Sequence, residues 1–255
     1  MLKMVDKLMS ANNIVFYVTQ MCNIYCWHCY NDAGGSTETH SKTVLGIAEK
    51  IKNGRFNYVS ISGGEPLCEP NLSISVANIL KREGRRVALL SNGLLIHDKN
   101  IIKLKDAFTD FQISIDMPEE AYASCFKGCK GYRERMGKVI KLLDESNISV
   151  VYTHVPNIHN HKIDEYFESF FYPGVKALRC QFPYERGRAS GKNDVMLDEI
   201  GICEYIDALN RIKDKYKIEI TVFFPSNATK GDYYINYLGD VYNGIFGSSY
   251  CGRIE

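Results

Sequence analysis

The sequence predicts an α/β fold, a partial (β/α)6 barrel of the TIM type built from parallel strands. Two observations lead to this prediction. Short runs rich in β-branched and aromatic residues recur along the chain, as strands prefer. Segments in which apolar residues return at helical spacing separate these runs. Strands that alternate with helices pair in parallel, and each crossover carries a helix.

Six runs supply the predicted barrel strands, and a seventh follows. The runs are Ile14–Thr19, Tyr58–Ser62, Val87–Ser91, Phe111–Asp116, Ser149–Thr153, Val175–Gln181 and then Ile218–Phe224. Two helical faces are clear between them, formed by Val44, Ile47, Ala48 and Ile51, and by Met136, Val139, Ile140 and Leu143. We therefore assign residues 1–224 to the barrel. Residues 225–255, rich in Gly, Asn, Tyr and Ser, are predicted to form a short irregular C-terminal extension.

Charge balance, the lengths of apolar runs and the number of cysteines indicate which class of protein this is. The 255 residues include 31 Lys and Arg against 30 Asp and Glu, so net charge favours neither nucleic acid nor an anionic membrane as a partner. No apolar run approaches the roughly 20 residues of a membrane helix, and the N-terminus lacks a signal-peptide core. We expect a cytoplasmic protein. In a reducing compartment, nine cysteines indicate metal binding or chemistry rather than disulfides.

Polar or cluster-forming residues lie at the end of every predicted barrel strand. In βα barrels the active site lies at the carboxyl ends of the strands. Turns and caps would explain such residues at any single strand, but their presence at all six predicts a site. In strand order they are Cys22, then Ser62-Gly63-Gly64-Glu65, Ser91-Asn92-Gly93, Ser114 with Asp116, Thr153-His154, and Arg179 with Gln181.

The segment CNIYCWHC places Cys22, Cys26 and Cys29 in a loop directly after the first strand. Three thiolates can hold three irons of a [4Fe–4S] cubane and leave the fourth iron open. Two other readings stay open. A zinc site would use these cysteines or His28, with a fourth ligand from Cys68 or Cys251. A thioredoxin-like C-x-x-C pair would explain only two of the three cysteines.

These motifs together resemble the radical S-adenosylmethionine (SAM) superfamily. CNIYCWHC resembles its cluster signature, and SISGGEP at the end of the second strand is similar to its second motif. SNG after the third strand and SID on the fourth are similar to later landmarks, so the resemblance covers about residues 14–190. It implies a 5′-deoxyadenosyl radical, made by reductive SAM cleavage, that abstracts hydrogen from substrate, with a flavodoxin or ferredoxin as electron donor.

The resemblance also implies roles for single residues. Cys22, Cys26 and Cys29 would ligate the cluster. Gly63, Gly64 and Glu65 match the segment that receives the methionine amino group, for which carboxylate and carbonyl oxygens are suitable acceptors. The remaining cofactor positions are Ser91 and Asn92 near the ribose, Ser114 and Asp116 beside SAM or substrate, and His28 where relatives commonly carry an aromatic residue that packs near the adenine.

The segment PYERGRA, residues 183–189, resembles the peptide-modifying branch of the superfamily. That branch carries a C-terminal SPASM or twitch module with auxiliary iron–sulfur clusters, and Cys251-Gly252 is similar to its beginning. Either a truncated module begins at Cys251, which would then ligate an auxiliary cluster, or the module is absent. A peptide or protein side chain is the first substrate expected. A small molecule or cofactor precursor is the alternative, and a non-catalytic metal-binding scaffold is the alternative of another class.

Overall fold

The computed structural model of the protein describes residues 8, 11–35, 38, 40–116, 131–224, 232–243 and 249–254, together with the backbone of residues 126–127. The strands are Asn13–Thr19 (β1), Tyr25–Cys26 (β2), Tyr58–Gly63 (β3), Arg86–Ser91 (β4), Asp110–Ser114 (β5), Phe126–Lys127 (β6), Val150–His154 (β7), Val175–Gln181 (β8), Glu219–Phe223 (β9), Asp232–Ile235 (β10), Asp240–Asn243 (β11) and Ser249–Arg253 (β12). The helices are Ser41–Ile51 (α1), Pro70–Leu80 (α2), Ile101–Ala107 (α3), Tyr132–Glu145 (α4) and Glu199–Tyr216 (α5).

One ten-stranded sheet organises the fold, in the order β12-β11-β10-β1-β3-β4-β5-β7-β8-β9. All seven predicted runs form neighbouring parallel strands of this sheet. Among the described strands the sheet does not close, because β12 and β9 form its two ends. The predicted α/β partial barrel is therefore confirmed. β2 and β6 form a separate antiparallel pair.

The C-terminal extension differs from the prediction of irregular structure. β10 pairs in parallel with β1, and β11 and β12 continue the sheet as antiparallel neighbours. The prediction failed because this segment has little periodicity of its own, and strand formation here depends on the unpaired edge that β1 offers. Packing against a neighbour decides strand formation more than intrinsic preference does. The predicted boundary at residue 225 thus lies between strands of one continuous sheet.

The helices cover the sheet with the faces that the spacing predicted. Val44, Ile47, Ala48 and Ile51 of α1 are buried, and Met136, Val139, Ile140 and Leu143 of α4 are buried as well. Alternate residues of β1, namely Ile14, Phe16 and Val18, are fully buried. A stripe of side chains at 3.6-residue spacing thus packs on strand faces of period two, which builds one continuous core. None of the described helices meets the length and apolarity that a bilayer crossing requires.

A buried arginine binds backbone carbonyl groups at the side of the sheet where the parallel strands begin. Arg85 is 3% exposed, and its guanidinium donates to the carbonyl oxygens of Lys52, Gly54, Phe56 and Leu80 at 2.5–3.1 Å. Its Cζ lies 3.9 Å from the centre of the Phe56 ring. Helix ends leave carbonyl groups without partners inside the helix, and Arg85 satisfies such groups at the ends of α1 and α2.

Candidate active site

A cavity of about 230 Å³ opens at the carboxyl ends of the strands, where the barrel rule places an active site. All the residues to which a cluster or cofactor role was assigned, except Glu65, line it. They are Cys22, Cys26, His28, Cys29, Gly63, Gly64, Ser91, Asn92, Ser114 and Asp116. Further lining residues come from the loop after β1 and from the ends of β7 and β8, and include Tyr30, Thr153, His154, Gln181, Tyr184 and Arg188.

The three cysteines enter the cavity from the loop after β1 and from the short strand β2. A turn with the Cys29 amide donating to the Cys26 carbonyl (3.3 Å) holds two of them together, and the Ala33 amide lies 3.5 Å from Cys29 Sγ. Burial raises the pKa of the Cys22 thiol to about 12. In the described part of the chain, no three His, Cys, Asp or Glu side chains are grouped closely enough to hold one metal ion.

The two glycines after β3 bring backbone against backbone. A Cβ on Gly63 would overlap the Thr19 carbonyl oxygen, and one on Gly64 would overlap that of Met21. Gly63 also has φ +148°, a conformation that side chains other than hydrogen rarely allow. The Gly64 amide donates to the Thr19 carbonyl at 2.8 Å. The glycine turn therefore supports the residues directly before Cys22, and both glycines also face the cavity.

Glu65 is not among the residues that line the cavity, and its carboxylate joins two strand ends. It is 1% exposed and accepts hydrogen bonds from the Ser91 hydroxyl at 2.9 Å, the Asn92 amide at 2.8 Å and the Leu67 amide at 2.9 Å. Burial raises its pKa to about 7, although these three donors oppose the shift. In this structure Glu65 bridges β3 to β4, and its predicted contact with the methionine amino group stays a prediction.

Asn92 connects the end of β4 to the cysteine loop. Its side-chain amide donates to Asn23 Oδ1 at 2.8 Å, while its own Oδ1 accepts from the Leu94 amide at 3.0 Å. Ser91 donates to Glu65 and accepts from the Gly93 amide at 3.0 Å. Hydrogen bonds to neighbouring residues thus fix the two residues predicted near a ribose, and both line the cavity.

Ser114, Asp116 and His28 line another part of the cavity wall. Asp116 Oδ1 accepts from the Val155 amide at 2.7 Å, and its Oδ2 lies 3.8 Å from His28 Nε2. Burial raises the pKa of Asp116 to about 7 and lowers that of His28 to about 3. His28 therefore presents a neutral ring at neutral pH. Ser114 Oγ lies 3.2 Å from the Thr153 hydroxyl.

Two cavity residues received no specific role from the sequence. His154 is fully buried, and its ring nitrogens lie 2.8 Å from the Tyr205 hydroxyl and 3.0 Å from that of Tyr166. Arg188 reaches the cysteine loop from the segment after β8. No local pattern identifies either contact, since their partners lie up to 162 positions away in the sequence. The sequence signals were the strand-end position of His154 and the place of Arg188 in the segment PYERGRA, and neither assigned a contact.

The other described cysteines lie outside the cavity lining. Cys180 is buried in β8, and Cys203 is exposed on α5. Cys68 ends the short 3-10 helix Pro66–Cys68. Cys251 lies in the terminal strand β12, where its Sγ donates to the Ser249 carbonyl at 3.4 Å. Of the described cysteines, the cavity therefore gathers only the three of CNIYCWHC.

Comparison with known proteins identifies the family. The sequence profile of the Radical SAM superfamily matches residues 16–171, which include the cysteine loop and the strand ends from β1 to β7. The chain belongs to the radical SAM superfamily. Members use a [4Fe–4S] cluster and SAM, as the resemblance of the cysteine and strand-end motifs implied.

The donor set of this radical SAM chain suits a cubane better than a single ion. A zinc ion needs its thiolates at about 2.3 Å, whereas a cubane spreads its ligands over several irons. The three cysteines line one cavity, and no fourth described cysteine does, so a closed four-cysteine zinc site does not form there. Cys22, Cys26 and Cys29 would hold the cluster here, and Gly63 and Gly64 line the same cavity.

Curated relatives act on different substrates. An AdoMet-dependent heme synthase of Nitratidesulfovibrio vulgaris is 25% identical over 209 residues, which are 79% of this chain and 55% of the relative. A probable GTP 3′,8-cyclase of Methanococcus maripaludis is 32% identical over 105 residues, which are 39% of this chain and 34% of the relative. The radical SAM chain thus spans about half of the first relative and a third of the second.

Solved structures share the fold over nearly the whole chain. Streptococcus suis SuiB matches with a TM-score of 0.70 and 14% identity, covering 94% of this chain and 61% of SuiB. AdoMet-bound anSMEcpe matches with a TM-score of 0.72 and 13% identity, covering 94% and 77%. At such identities the likeness shows a common fold and leaves the substrate to other evidence.

Proposed function

We propose that this chain is a radical SAM enzyme that modifies a peptide or protein side chain. The observation that carries the proposal is the convergence of Cys22, Cys26 and Cys29 with the Gly63-Gly64 turn on one cavity at the strand ends. When bound, the [4Fe–4S] cluster supplies an electron that cleaves SAM to methionine and a 5′-deoxyadenosyl radical, which abstracts a hydrogen atom from substrate. A flavodoxin or ferredoxin would supply that electron.

The protein's own residues would bind and orient. Gly63 and Gly64 expose backbone to a ligand beside the cysteine loop, and Ser91 and Asn92 offer short polar groups at the neighbouring strand end. Ser114, Thr153 and Gln181 would face the substrate side. Apolar groups such as Ile24, Leu90 and Val155 complete the wall and limit water access, which protects a reactive radical.

Three observations support a peptide as substrate. Among the described strands the sheet does not close, and we expect the open side of such a partial barrel to admit an extended segment. The structural neighbour SuiB was solved with its precursor peptide SuiA, and anSMEcpe with a bound peptide. The segment PYERGRA adds the resemblance to the peptide-modifying branch.

A small anionic substrate is the second candidate. The heme synthase and GTP cyclase relatives support it. Arg179 supports it as well, because this exposed side chain on β8 donates to Oε1 of the cavity residue Gln112 at 3.3 Å. A guanidinium at the cavity edge suits a carboxylate or phosphate. Substrate assays therefore include both classes.

The test is anaerobic reconstitution followed by electron paramagnetic resonance of the reduced protein, with and without SAM. We expect a cubane signal that changes when SAM is added, and formation of 5′-deoxyadenosine. Peptides encoded beside the gene, a tetrapyrrole and GTP are then compared as substrates. Transfer of deuterium from a labelled peptide into 5′-deoxyadenosine would establish the peptide reaction.

Cysteine variants provide the control. Substituting Cys22, Cys26 and Cys29 together by alanine should abolish the cubane signal and 5′-deoxyadenosine formation. Cys203→Ala, at an exposed site on α5, should leave both unchanged. Stoichiometric zinc without a cubane signal would reject the radical SAM function and favour a metal-binding scaffold. Activity with GTP or a tetrapyrrole but with no peptide would reject the peptide substrate alone.

A further inference from the structure

The segment after β8 folds back against the cysteine loop. The Arg188 amide donates to the Cys29 carbonyl at 3.0 Å within the short 3-10 helix Gly187–Ala189. Gly187 has φ +59°, and a Cβ there would lie 2.5 Å from the Cys29 carbonyl oxygen and 2.6 Å from that of Tyr30. Glycine at this position therefore allows close backbone contact between two segments about 160 positions apart.

The Arg188 side chain extends this contact across the loop. Nε donates to the Cys26 carbonyl at 2.8 Å, and Nη1 donates to the Ala33 carbonyl at 2.7 Å and to Asp32 Oδ1 at 2.9 Å. Cζ lies 3.7 Å from the centre of the Tyr25 ring. The side chain is 9% exposed and lines the cavity. A single guanidinium thus binds residues on both sides of Cys29.

Such an arrangement affects the loop in two ways. The planar fork has a fixed geometry, so carbonyl contacts at Cys26 and Ala33 restrict the loop that presents two cluster ligands. The guanidinium also brings a permanent positive charge to the same cavity as the three thiolates. Neighbouring charge and hydrogen bonding are among the factors that set the potential of an iron–sulfur cluster.

We propose that Arg188 is a positioning residue for the cysteine loop, and that its charge raises the reduction potential of the cluster bound there. The inference rests on the proposed function, because it requires a [4Fe–4S] cluster on Cys22, Cys26 and Cys29. Reduction adds negative charge to the cluster, and a nearby guanidinium stabilises the reduced form. Asp32, bound to the same guanidinium and 68% exposed, partly offsets that charge.

The test is a redox titration of the reconstituted protein without SAM, monitored by electron paramagnetic resonance. Arg188→Met removes the charge and the fork, and we expect about a tenfold fall in the ratio of reduced to oxidised cluster at a fixed potential, equal to 59 mV for one electron. Arg188→Lys keeps the charge and should restore most of that ratio. Iron and sulfide per chain should fall in both variants, since neither retains the fork.

Asp32→Asn should shift the reduction potential of the cluster in the opposite direction, with little structural change. Asp32 has φ +48°, which asparagine tolerates, and the amide oxygen can still accept from Arg188. Losing the carboxylate charge should raise the ratio of reduced to oxidised cluster. Arg186→Met is the matched control, because it removes a guanidinium from an exposed position of the same segment and should leave the potential unchanged.

The outcomes separate the two proposals. A wild-type chain without a cubane signal would reject the proposed function. A wild-type cubane with equal potentials in Arg188→Met, Asp32→Asn and Arg186→Met would reject the role of Arg188 alone. Circular dichroism of the cluster-free proteins checks folding. If Arg188→Met does not fold, Asp32→Asn decides, since an unchanged potential there would overturn the charge effect.

Discussion

An arginine lies over an aromatic ring and donates to backbone carbonyls both at the side of the sheet where the parallel strands begin and at the side where they end. At the end where the strands begin, Arg85 lies 3.9 Å from the Phe56 ring centre. At the opposite end, Arg188 lies 3.7 Å from the ring centre of Tyr25. The two guanidinium groups make nearly the same kinds of contact, but their partners differ. The partners of Arg85 suggest a role in stability, and those of Arg188 suggest a role in function.

Arg85 connects parts of the scaffold to one another. Its four carbonyl acceptors belong to the ends of α1 and α2 and to the connection before β3. Arg188 instead contacts a loop that carries cluster ligands, and it lines the cavity. In βα barrels the strand beginnings chiefly serve stability and the strand ends carry chemistry. The two arginines therefore predict opposite responses to the same substitution.

The largest stability effect is expected for Arg85→Met. It leaves four carbonyl groups in a buried region without their donor, so we expect a loss of about 4 kcal/mol in the free energy of unfolding. Urea unfolding of the cluster-free protein measures this loss. Arg188→Met should lose less than half as much, because its loop is nearer to solvent. Equal losses in the two variants would contradict the comparison.

Glu65 gives the next largest effect, and the size of that effect depends on pH. Its pKa is raised from 4.5 to about 7 by burial, so its favourable contribution is full below pH 4.5 and is lost as the pH rises through 7. Glu65→Gln does not titrate. The stability of the wild type relative to Glu65→Gln should therefore fall by up to about 3 kcal/mol over this range.

Urea unfolding of both cluster-free proteins from about pH 5 to about pH 8 measures this difference. Asp116, whose pKa is also raised to about 7, is present in both proteins, so its titration cancels in the comparison. A difference that stays constant with pH would show that Glu65 is ionised throughout, as its three hydrogen-bond donors favour. The bridge between β3 and β4 would then be a permanent carboxylate.

The strands and the cavity were predictable because their signals are local. The run of β-branched and aromatic residues in β1 is typical of a strand, and the helical spacing in α1 and α4 follows from the period of a helix. The cysteine spacing and the glycine turn are short patterns within one loop each. Parallel pairing then brings the ends of the predicted strands to one side. The strand-end residues and the cysteine motif together therefore identified more than half of the cavity residues without any knowledge of tertiary contacts.

The unpredicted features depend on contacts between distant segments. The direction of the Glu65 carboxylate is set by Ser91 and Asn92 across the β3–β4 pair. Arg188 meets Cys26 at a separation of 162 positions, and nothing in PYERGRA indicates that partner. The strands β10 to β12 likewise depend on the free edge of β1. Sequence periodicity contains none of this information, because each contact requires the folded sheet.

Gly187→Ala separates contact with the cysteine loop from backbone conformation. Alanine at φ +59° is strained, and its Cβ would meet the Cys29 and Tyr30 carbonyls, so we expect a loss of about 2 kcal/mol and lower iron content after reconstitution. Gly191→Ala is the matched control, with φ +71° and no heavy atom within 4 Å of the added Cβ. It should lose about 1 kcal/mol and keep its iron. Equal iron loss would contradict a specific effect at Gly187.

Arg86→Met, one position after Arg85, should have the smallest effect. Arg86 forms an ion pair with Asp110 across neighbouring strands, and its side chain is 67% exposed. Exposed pairs contribute less than about 1 kcal/mol, and salt weakens them. The free energies of unfolding of the wild type and Arg86→Met should therefore differ slightly at low salt and become equal at high salt. If Arg86→Met instead matched Arg85→Met, the loss of a positive charge at this end would explain both results, and the carbonyl contacts of Arg85 would not. A small effect at Arg86 beside a large one at Arg85 would assign the stability of this end to the buried hydrogen bonds.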